Sequence, residues 1–443
     1  RQLVFCGNDV CIFAQSRFFI TLFDKSTETH YSTSMKKRVV ITGLGAVTPL
    51  GNDIRTLWTN VTSGASGIAP VSRFDASSLP SRIAGEVRGF DPLTFMSAKD
   101  AHKTDPFIQY ALAAALMAIK DSGISLTPLS SLLTGVLIGS GRGGVTTYEK
   151  NLLAFHASGH LAVSPFFTPM TLVNMAAGFI AMRLGARGPC LDVSTACATG
   201  THAIGEAMKI IQRGDANVMI AGGSEAALTP LVFAGFCQAR ALSRRNDEPK
   251  KASRPFDGDR DGFVLSEGAG VLVLEEREHA ERRGAAVYAE LGGYGLSADA
   301  HHYTMPDPEG AGAARAMELA LADAGARPEE IDYINAHGTS TVPNDRIETR
   351  AIKRVFGGHT KKLCMSSIKS MLGHMLGAAG AVEAAVTALA LRDGVVPPTI
   401  NQEHPDPACD LDYVPNRART VRIRAALSLS LGFGGINGAL VFK

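Results

Sequence analysis

Apolar positions along the chain occur in two kinds of run. Short, nearly continuous stretches rich in Val, Ile, Leu and Gly alternate with longer Ala-rich stretches in which apolar residues recur at helical spacing. The first kind predicts strands buried on both faces, and the second predicts amphipathic helices. The pattern therefore predicts an α/β fold in which strands and helices follow one another.

The same order of elements occurs twice. Each copy has a glycine-ended strand, an Ala-rich helix closed by Asp, a small residue and Gly, and a strand that runs into a polar turn. A strand–loop–helix unit and another apolar, glycine-ended run complete the copy. The paired segments are 38–47 and 286–297, 107–123 and 312–325, 134–144 and 331–341, 191–211 and 363–391, and 217–223 and 425–435. This repetition predicts two duplicated βαβαβ halves, each with a mostly parallel buried sheet, that face one another.

Residues 1–34 differ from the rest, because they are rich in Phe, Ser and Thr and lack periodicity. We expect an N-terminal extension that is disordered or non-native, followed by one half over 35–285 and the other over 286–443. Three basic residues in the extension are matched by three acidic ones, which fits a transit peptide poorly. We therefore expect a bacterial, cytoplasmic protein, and an organellar one only if the extension is a transit peptide.

Charge and cysteine usage exclude several classes of function. A net charge of +2 over 443 residues does not predict a nucleic-acid or membrane-surface partner. The seven cysteines form no Cys-x-x-Cys pair, so neither a zinc site nor a disulfide framework is predicted.

Cys197 is the strongest candidate for chemistry. It lies where a predicted strand turns through small residues into a predicted helix. Backbone N–H groups and the helix dipole at such a junction favour a thiolate, which is the nucleophilic form. From the local sequence alone, a nucleophile and a buried small hydrophobic residue are equally good interpretations.

Two histidines accompany this cysteine, each in a glycine-flanked turn after a predicted strand. They are His337 in Ala-His-Gly-Thr and His374 in Gly-His-Met-Leu-Gly. A single histidine in such a turn is more often structural, but two neutral imidazoles can donate hydrogen bonds to a carbonyl oxygen that gains charge. Because sites in parallel sheets collect at the carboxyl ends of strands, we expect Cys197, His337 and His374 to share one site.

Residues 36–443 resemble the elongating β-ketoacyl-acyl carrier protein synthases, condensing enzymes of the thiolase superfamily. The resemblance rests on VSTACATG around Cys197, NAHGTST around His337, SSIKSMLGHMLGAAG around Lys369 and His374, and GFGGIN around Phe433. It implies a thiolase-like fold of two related halves in five layers (α-β-α-β-α), a homodimer, and no metal or organic cofactor. It also implies transfer of an acyl chain from acyl carrier protein to Cys197, followed by Claisen condensation with decarboxylated malonyl carrier protein.

The resemblance assigns roles to further residues. His337 and His374 would stabilise the charge that decarboxylation builds on the malonyl thioester oxygen, and the backbone N–H groups of Cys197 and Phe433 would form an oxyanion hole. Phe433 would also gate the acyl pocket. Lys369 and Glu348 would form a charged pair that orders the histidine turns; an ordinary structural ion pair is the alternative.

An acidic carrier protein implies a basic docking surface, since opposite charges steer association. The candidates are Arg240, Arg244 and Arg245, with Lys250 and Lys251 nearby. A solvated charge run is an equally good interpretation of any one of them.

Several positions depart from the usual fatty-acid pattern and leave the pathway open. They are Leu429, Leu431 and Ile436 near Phe433, Ile368 and Leu372 around Lys369, and Val342-Pro343 after His337. Other runs resemble ketosynthases of type II polyketide systems, so a polyketide or polyene ketosynthase paired with a chain-length factor is the alternative. A non-catalytic chain-length factor is disfavoured by Cys197, and a thiolase by the lack of a second cysteine in the GFGG turn.

Overall fold

The computed structural model describes residues 36–443 and, before them, only the backbone of Val4–Cys6 and Asp9–Cys11. Those two short strands pair antiparallel with each other, within a unit that ends at Lys36. The predicted disorder of residues 1–34 otherwise lies outside the described residues. No helix in the described part of the chain is long and apolar enough to cross a membrane.

The strands are Val4–Cys6 (β1), Asp9–Cys11 (β2), Val39–Val47 (β3), Ile68–Pro70 (β4), Ile83–Gly85 (β5), Thr134–Gly139 (β6), Cys190–Leu191 (β7), Val218–Glu225 (β8), Gly268–Glu276 (β9), Ala289–Ala298 (β10), Tyr333–Asn335 (β11), Cys364–Ser366 (β12), Val395–Val396 (β13), Arg419–Thr420 (β14), Ala426–Gly432 (β15) and Ile436–Phe442 (β16). The α-helices are Ile54–Thr62 (α1), Ala98–Ala101 (α2), Pro106–Ser122 (α3), Val145–Ser158 (α4), Phe167–Thr171 (α5), Met175–Leu184 (α6), Thr199–Arg213 (α7), Pro230–Gln238 (α8), Arg277–Arg282 (α9), Ala311–Ala324 (α10), Val342–Phe356 (α11), Lys369–Leu372 (α12) and Ala379–Asp393 (α13). Short 3₁₀ turns at Ala196–Ala198 and Leu376–Ala378 come directly before α7 and α13.

One ten-stranded sheet, in the order β12-β11-β15-β16-β10-β3-β9-β8-β6-β7, contains the long strands. Outward from the β10–β3 junction, each side has two antiparallel pairings followed by two parallel ones. The pairing on one side thus repeats on the other, and the predicted α/β class is confirmed. The prediction of mostly parallel halves is confirmed, because four of the five strands on each side run in the same direction and only β9 and β16 are reversed. Half of the pairings on each side are antiparallel because β9 lies between β3 and β8, and β16 lies between β10 and β15.

Alternate residues of the strands face different helices, so the sheet is buried on both faces. In β9, Leu272 and Leu274 pack with residues of α7 and α13, whereas Val271 and Val273 pack with α3. The strands of the second repeat divide in the same way between the α7–α13 pair and the outer helices α10 and α11. The five strands on each side of the β10–β3 junction form one β layer, and α7 and α13 lie between these two layers. With α3 outside one layer and α10 and α11 outside the other, the arrangement has the predicted five layers.

Glycines in β3 and β10 explain how close the outer helices come. A Cβ atom on Gly45 would lie 2.0 Å from the carbonyl oxygen of Ala114 in α3. In the other repeat, a Cβ on Gly295 would lie 2.1 Å from the carbonyl oxygen of Ala316 in α10. Any side chain at these strand positions would push the Ala-rich helix off the sheet.

The two central helices also meet through glycines at their N-terminal ends. A Cβ on Gly200 of α7 would lie 2.6 Å from the Ala381 nitrogen, and one on Gly380 of α13 would lie 2.2 Å from Thr201 Oγ1. This contact brings together the turns that precede α7 and α13, and therefore the segments that carry Cys197 and His374.

Substitution of Gly45 by Ala should destabilise the fold, because the added methyl overlaps the α3 backbone. We expect the free energy of unfolding to fall by about 1–3 kcal/mol, measured by thermal or urea denaturation. The matched control is Gly178→Ala in α6, where an added Cβ meets nothing within 4 Å. That control should not lower stability, since Ala is the better helix former; equal losses in the two variants would contradict the packing argument.

Candidate active site

The predicted catalytic residues lie around one cavity of about 650 Å³. Cys197, His337, His374 and Phe433 line it, and Arg240 lies at the same cavity. The wall also includes Phe236, Phe263, Leu376, Leu431 and Met305. Residues from both repeats therefore contribute to a cavity whose wall is mostly apolar but also holds charged groups such as Arg240 and Glu225.

Cys197 lies in the 3₁₀ turn before α7 and is only 8% exposed. The preceding residue, Ala196, has a φ of 50°, a left-handed conformation that is costly for a non-glycine residue. Thr199 stabilises this turn, since its Oγ1 accepts from the Thr195 N–H at 2.8 Å and donates to the Ala196 carbonyl at 2.7 Å.

The resting cysteine is a thiol rather than a thiolate. Burial raises the pKa of Cys197 to about 11, although Lys369 and the backbone N–H of Phe433, which donates to the sulfur, act in the opposite direction. Desolvation of the charged form therefore opposes the thiolate that the helix N-terminus is predicted to favour. The same N–H of Phe433 is one of the two predicted oxyanion-hole donors.

His337 follows β11 and is held by its backbone. The Glu348 carboxylate accepts from the His337 N–H at 2.6 Å and from the Gly338 N–H at 2.7 Å. Gly338 has a φ of 35°, and a Cβ there would lie 2.5 Å from the Cβ of Ser367. The turn therefore requires glycine at this position.

His374 is held as if it were part of a strand. Its N–H donates to the Val264 carbonyl at 2.7 Å, and its own carbonyl accepts from the Ser266 N–H at 3.0 Å. Its ring packs edge-on against Phe263, with the ring centroids 5.4 Å apart. Both the backbone and the ring of His374 are thus fixed before any substrate binds.

Both imidazoles are neutral and share one tautomer. Burial and the Lys369 ammonium hold the pKa of His337 and of His374 well below the ordinary value of 6.5, and for His337 the neighbouring His374 adds to this effect. His374 Nδ1 accepts from the Leu376 N–H at 3.3 Å, and His337 Nδ1 lies 3.4 Å from Lys369 Nζ, which is a donor. With Nδ1 accepting in each ring, the hydrogen-bond network assigns the proton to Nε2. The site therefore holds two preoriented N–H donors.

Lys369 pairs with a different carboxylate from the one expected. Its ammonium forms a buried ion pair with Glu383 of α13 and donates to the His337 carbonyl at 2.6 Å. The predicted Lys369–Glu348 pair is thus replaced by Lys369–Glu383, while Glu348 acts on the His337 turn through backbone N–H groups. Burial raises the pKa of Glu348 to about 7, partly offset by its N–H donors and by Lys369.

Sequence reasoning missed two buried glutamates, Glu383 and Glu225. Glu383 is the only charged residue in the Ala-rich first three turns of α13, and Glu225 ends the buried strand β8. An isolated charge in an apolar segment was the available signal, because a buried carboxylate persists only where partners compensate its desolvation.

The other predicted positions divide between the cavity and the core. Leu431, Val342 and Pro343 line the cavity, whereas Leu429, Ile368 and Leu372 are buried in apolar clusters away from it. Ile436 is half-buried at the start of β16. Of the docking candidates, Arg240 and Arg244 are exposed, and the half-buried Arg245 donates to the Asp259 carbonyl at 3.2 Å.

A buried cysteine beside two neutral imidazole donors in a preformed cavity fits the requirements of covalent acyl transfer. Family models agree: the N-terminal domain of the beta-ketoacyl synthases matches residues 36–280, and their C-terminal domain matches residues 288–403. The chain belongs to the beta-ketoacyl synthase family.

Curated relatives are similar over nearly their whole length. The 3-oxoacyl-[acyl-carrier-protein] synthase 2 of Coxiella burnetii is 53% identical over 92% of this chain and 99% of its own. The synthase 2 of Synechocystis is 51% identical over 92% of this chain and 98% of its own.

Among solved structures, a type II polyketide ketosynthase in complex with its acyl-carrier protein is 38% identical, with a TM-score of 0.85 over 92% of this chain and 99% of its own. The ishigamide ketosynthase/chain length factor is 36% identical, with a TM-score of 0.87 and the same coverage. These likenesses confirm the predicted thiolase-like fold.

Replacement of Lys369 by Met should move the acid limb of activity to higher pH. Lys369 lowers the pKa of both imidazoles, so its loss raises them, and a ring protonated at Nδ1 no longer accepts the hydrogen bond that orients it. We expect the ratio of the rate at pH 6 to that at pH 8 to fall about threefold or more relative to wild type, measured as decarboxylation of malonyl carrier protein.

The ratio of the rates at pH 6 and pH 8 is taken within one variant, so a loss of activity that is equal at both pH values does not change it. Lys209→Met is the control, because Lys209 of α7 pairs with Asp323 of α10 and does not line the catalytic cavity. An unchanged ratio for Lys369→Met would show that the lysine does not set the protonation state of the histidines.

Proposed function

We propose that the chain is an elongating 3-oxoacyl-[acyl-carrier-protein] synthase, which condenses a Cys197-bound acyl chain with malonyl-acyl carrier protein in fatty-acid elongation. The observation that carries this proposal is the pair of neutral Nε2–H donors of His337 and His374 in the cavity that Cys197 lines. Such donors suit an oxygen that gains negative charge during the reaction.

In the first step the Cys197 sulfur attacks the carbonyl carbon of acyl carrier protein's thioester. The oxygen becomes an oxyanion that the N–H groups of Cys197 and Phe433 stabilise, and the carrier thiol leaves with the proton given up by Cys197. The Phe433 ring is 42% exposed and is followed by Gly434 and Gly435, with φ of 86° and 68°. A glycine turn of this kind lets the ring move aside for the acyl chain.

In the second step the malonyl thioester loses carbon dioxide. The electron pair of the broken C–C bond passes to the thioester oxygen as an enolate, which accepts from His337 and His374. The enolate carbon then bonds to the acyl carbon, and the Cys197 sulfur leaves as a thiolate that takes up a proton from solvent water. Neutral donors serve this step because they stabilise the enolate and do not protonate it outright.

Fatty-acid elongation is favoured over the polyketide alternative by the degree of similarity. Identity is 51–53% to the synthase 2 relatives from Coxiella and Synechocystis, but 38% to the type II polyketide ketosynthase and 36% to the ishigamide ketosynthase/chain length factor. Intact mass after incubation with carrier proteins of graded acyl length, with and without a co-expressed chain-length factor, separates the two pathways.

Acyl carrier protein and a second copy of this chain are the proposed partners. One structural relative is in complex with its acyl-carrier protein. A homodimer is supported by β7, an edge strand of the ten-stranded sheet, whose Leu191 is exposed, as is Met182 of α6. Unpaired apolar edges of this kind favour association. A cytoplasmic location is likewise a proposal, in keeping with the bacterial sources of the relatives.

Substitution of Cys197 tests the nucleophile directly. Cys197→Ala should form no acyl-enzyme and no condensation product, and Cys197→Gln should abolish condensation while leaving malonyl decarboxylation. Intact mass spectrometry and product analysis provide the readouts. Cys237→Ala is the matched control, because Cys237 is buried in the same apolar cluster; condensation by Cys197→Ala would refute the proposed function.

Charge reversal at Arg240 tests the docking surface. We expect Arg240→Glu to raise the KM for carrier protein about tenfold at low salt, with a smaller effect at high salt because exposed charges are screened. Steady-state kinetics at two ionic strengths measure it, and Arg315→Glu on the exposed side of α10 is the control. An unchanged KM at low salt would remove Arg240 from the docking surface.

A further inference from the structure

Glu225 is a buried carboxylate that the reaction described above does not use. It is the last residue of β8, is 0% exposed and lines the catalytic cavity. Its two oxygens accept four hydrogen bonds, from the N–H groups of Gly141 at 2.9 Å, Arg142 at 3.1 Å and Gly377 at 3.0 Å, and from Ser140 Oγ at 3.1 Å.

These donors come from both repeats. Ser140, Gly141 and Arg142 form the loop after β6, whereas Gly377 belongs to the 3₁₀ turn before α13. The adjacent N–H in that turn, of Leu376, is the one that donates to His374 Nδ1. One carboxylate thus fixes the turn that orients His374 and joins it to a loop of the other repeat.

The packing around this carboxylate leaves no space for a side chain. A Cβ on Gly377 would lie 2.6 Å from the Gly141 nitrogen and 2.7 Å from Glu225 Oε2. A Cβ on Gly141 would lie 2.8 Å from Glu225 Oε2 and 3.6 Å from the carbonyl oxygen of Ala196, the residue before Cys197. The loop after β6, the His374 turn and the Cys197 turn therefore meet at Glu225.

We propose that Glu225 is a positioning residue whose carboxylate holds the His374 turn and the loop after β6 against the turn that carries Cys197. This inference rests on the proposed condensing function. Because a displacement of about 1 Å in such a site costs on the order of 100-fold in rate, loss of the carboxylate should slow the chemical step more than substrate binding.

The charge of Glu225 provides a readout that a purely structural role would not change. Glu225 and Glu383 raise the pKa of Cys197, while Lys369 lowers it, and Arg142 is the charged side chain that acts on Glu225 itself. Burial raises the pKa of Glu225 to about 7, partly offset by its N–H donors. Above that pH the carboxylate is ionised, so a neutral replacement should lower the pKa of the Cys197 thiol.

The experiment compares Glu225→Gln and Glu225→Asp in the full-length protein. We expect Glu225→Gln to lower kcat for condensation about 10- to 100-fold, because the amide group of Gln places an N–H donor opposite the N–H donors of the two turns. The KM should stay within about twofold of the wild-type value. We expect its pH profile of Cys197 alkylation by iodoacetamide to shift to lower pH. Glu225→Asp keeps the charge, and should recover part of kcat and retain the wild-type profile.

Glu275→Gln is the matched control. Glu275 is also fully buried, but it pairs with Val218 at the opposite end of β8 from Glu225. A wild-type kcat and alkylation profile for Glu225→Gln would overturn the proposal, as would an equal kcat loss in Glu275→Gln. If Glu225→Gln does not fold, a Glu225→Asp variant with no loss of kcat overturns it. Failure of the wild-type protein to form an acyl-enzyme would instead refute the condensing function, and the alkylation profiles would still report on Glu225.

Discussion

Close approach of backbone to backbone at the centre of the molecule is the constraint on which the site depends. Gly200 and Gly380 let the N-terminal ends of α7 and α13 touch, and a Cβ on Gly223 of β8 would lie 2.3 Å from the Gly377 carbonyl oxygen. Side chains at these positions would overlap the facing atoms and push the two repeats apart. The cysteine of one repeat and the histidines of the other share a cavity because glycine and alanine fill the space between them.

Burial of charge is the second physical feature of this site, and it affects the protonation state of the two histidines. An ammonium and two carboxylates, Lys369, Glu383 and Glu348, are almost fully removed from water. Such burial is costly unless each charge is paired or hydrogen-bonded, and here the Lys369–Glu383 pair and the N–H donors to Glu348 meet that condition. Burial of the two rings and the nearby ammonium together hold the pKa values of His337 and His374 low, so both rings are neutral. The donors are thus set in protonation state and orientation before the substrate arrives.

Much of the fold was predictable because its signals are local. The glycine-ended strands, the Ala-rich helices closed by αL glycines at Gly123 and Gly325, and their repetition all follow from patterns within short segments. The sense of β9 and β16 was not predictable in this way, since a buried apolar strand looks the same in parallel and antiparallel neighbours. Likewise, the catalytic motifs identified Cys197 and the histidines, but the partner of Lys369 was missed. Local sequence does not distinguish Glu348 from Glu383 as the partner of Lys369, because it is the packing of α13 that brings Glu383 to the ammonium.

Two equivalent turns, one in each repeat, differ in chemistry because of a single side chain. The 3₁₀ turns before α7 and α13 match residue by residue: Ala196 and Leu376 both have left-handed φ, of 50° and 47°, and Cys197 is the counterpart of Gly377. At Gly377 the loop after β6 approaches so closely that no side chain fits, and the N–H is occupied by Glu225. At Cys197 the same turn opens onto the cavity. A side chain that can act as a nucleophile therefore fits this turn in only one repeat, and the other repeat carries the two histidines.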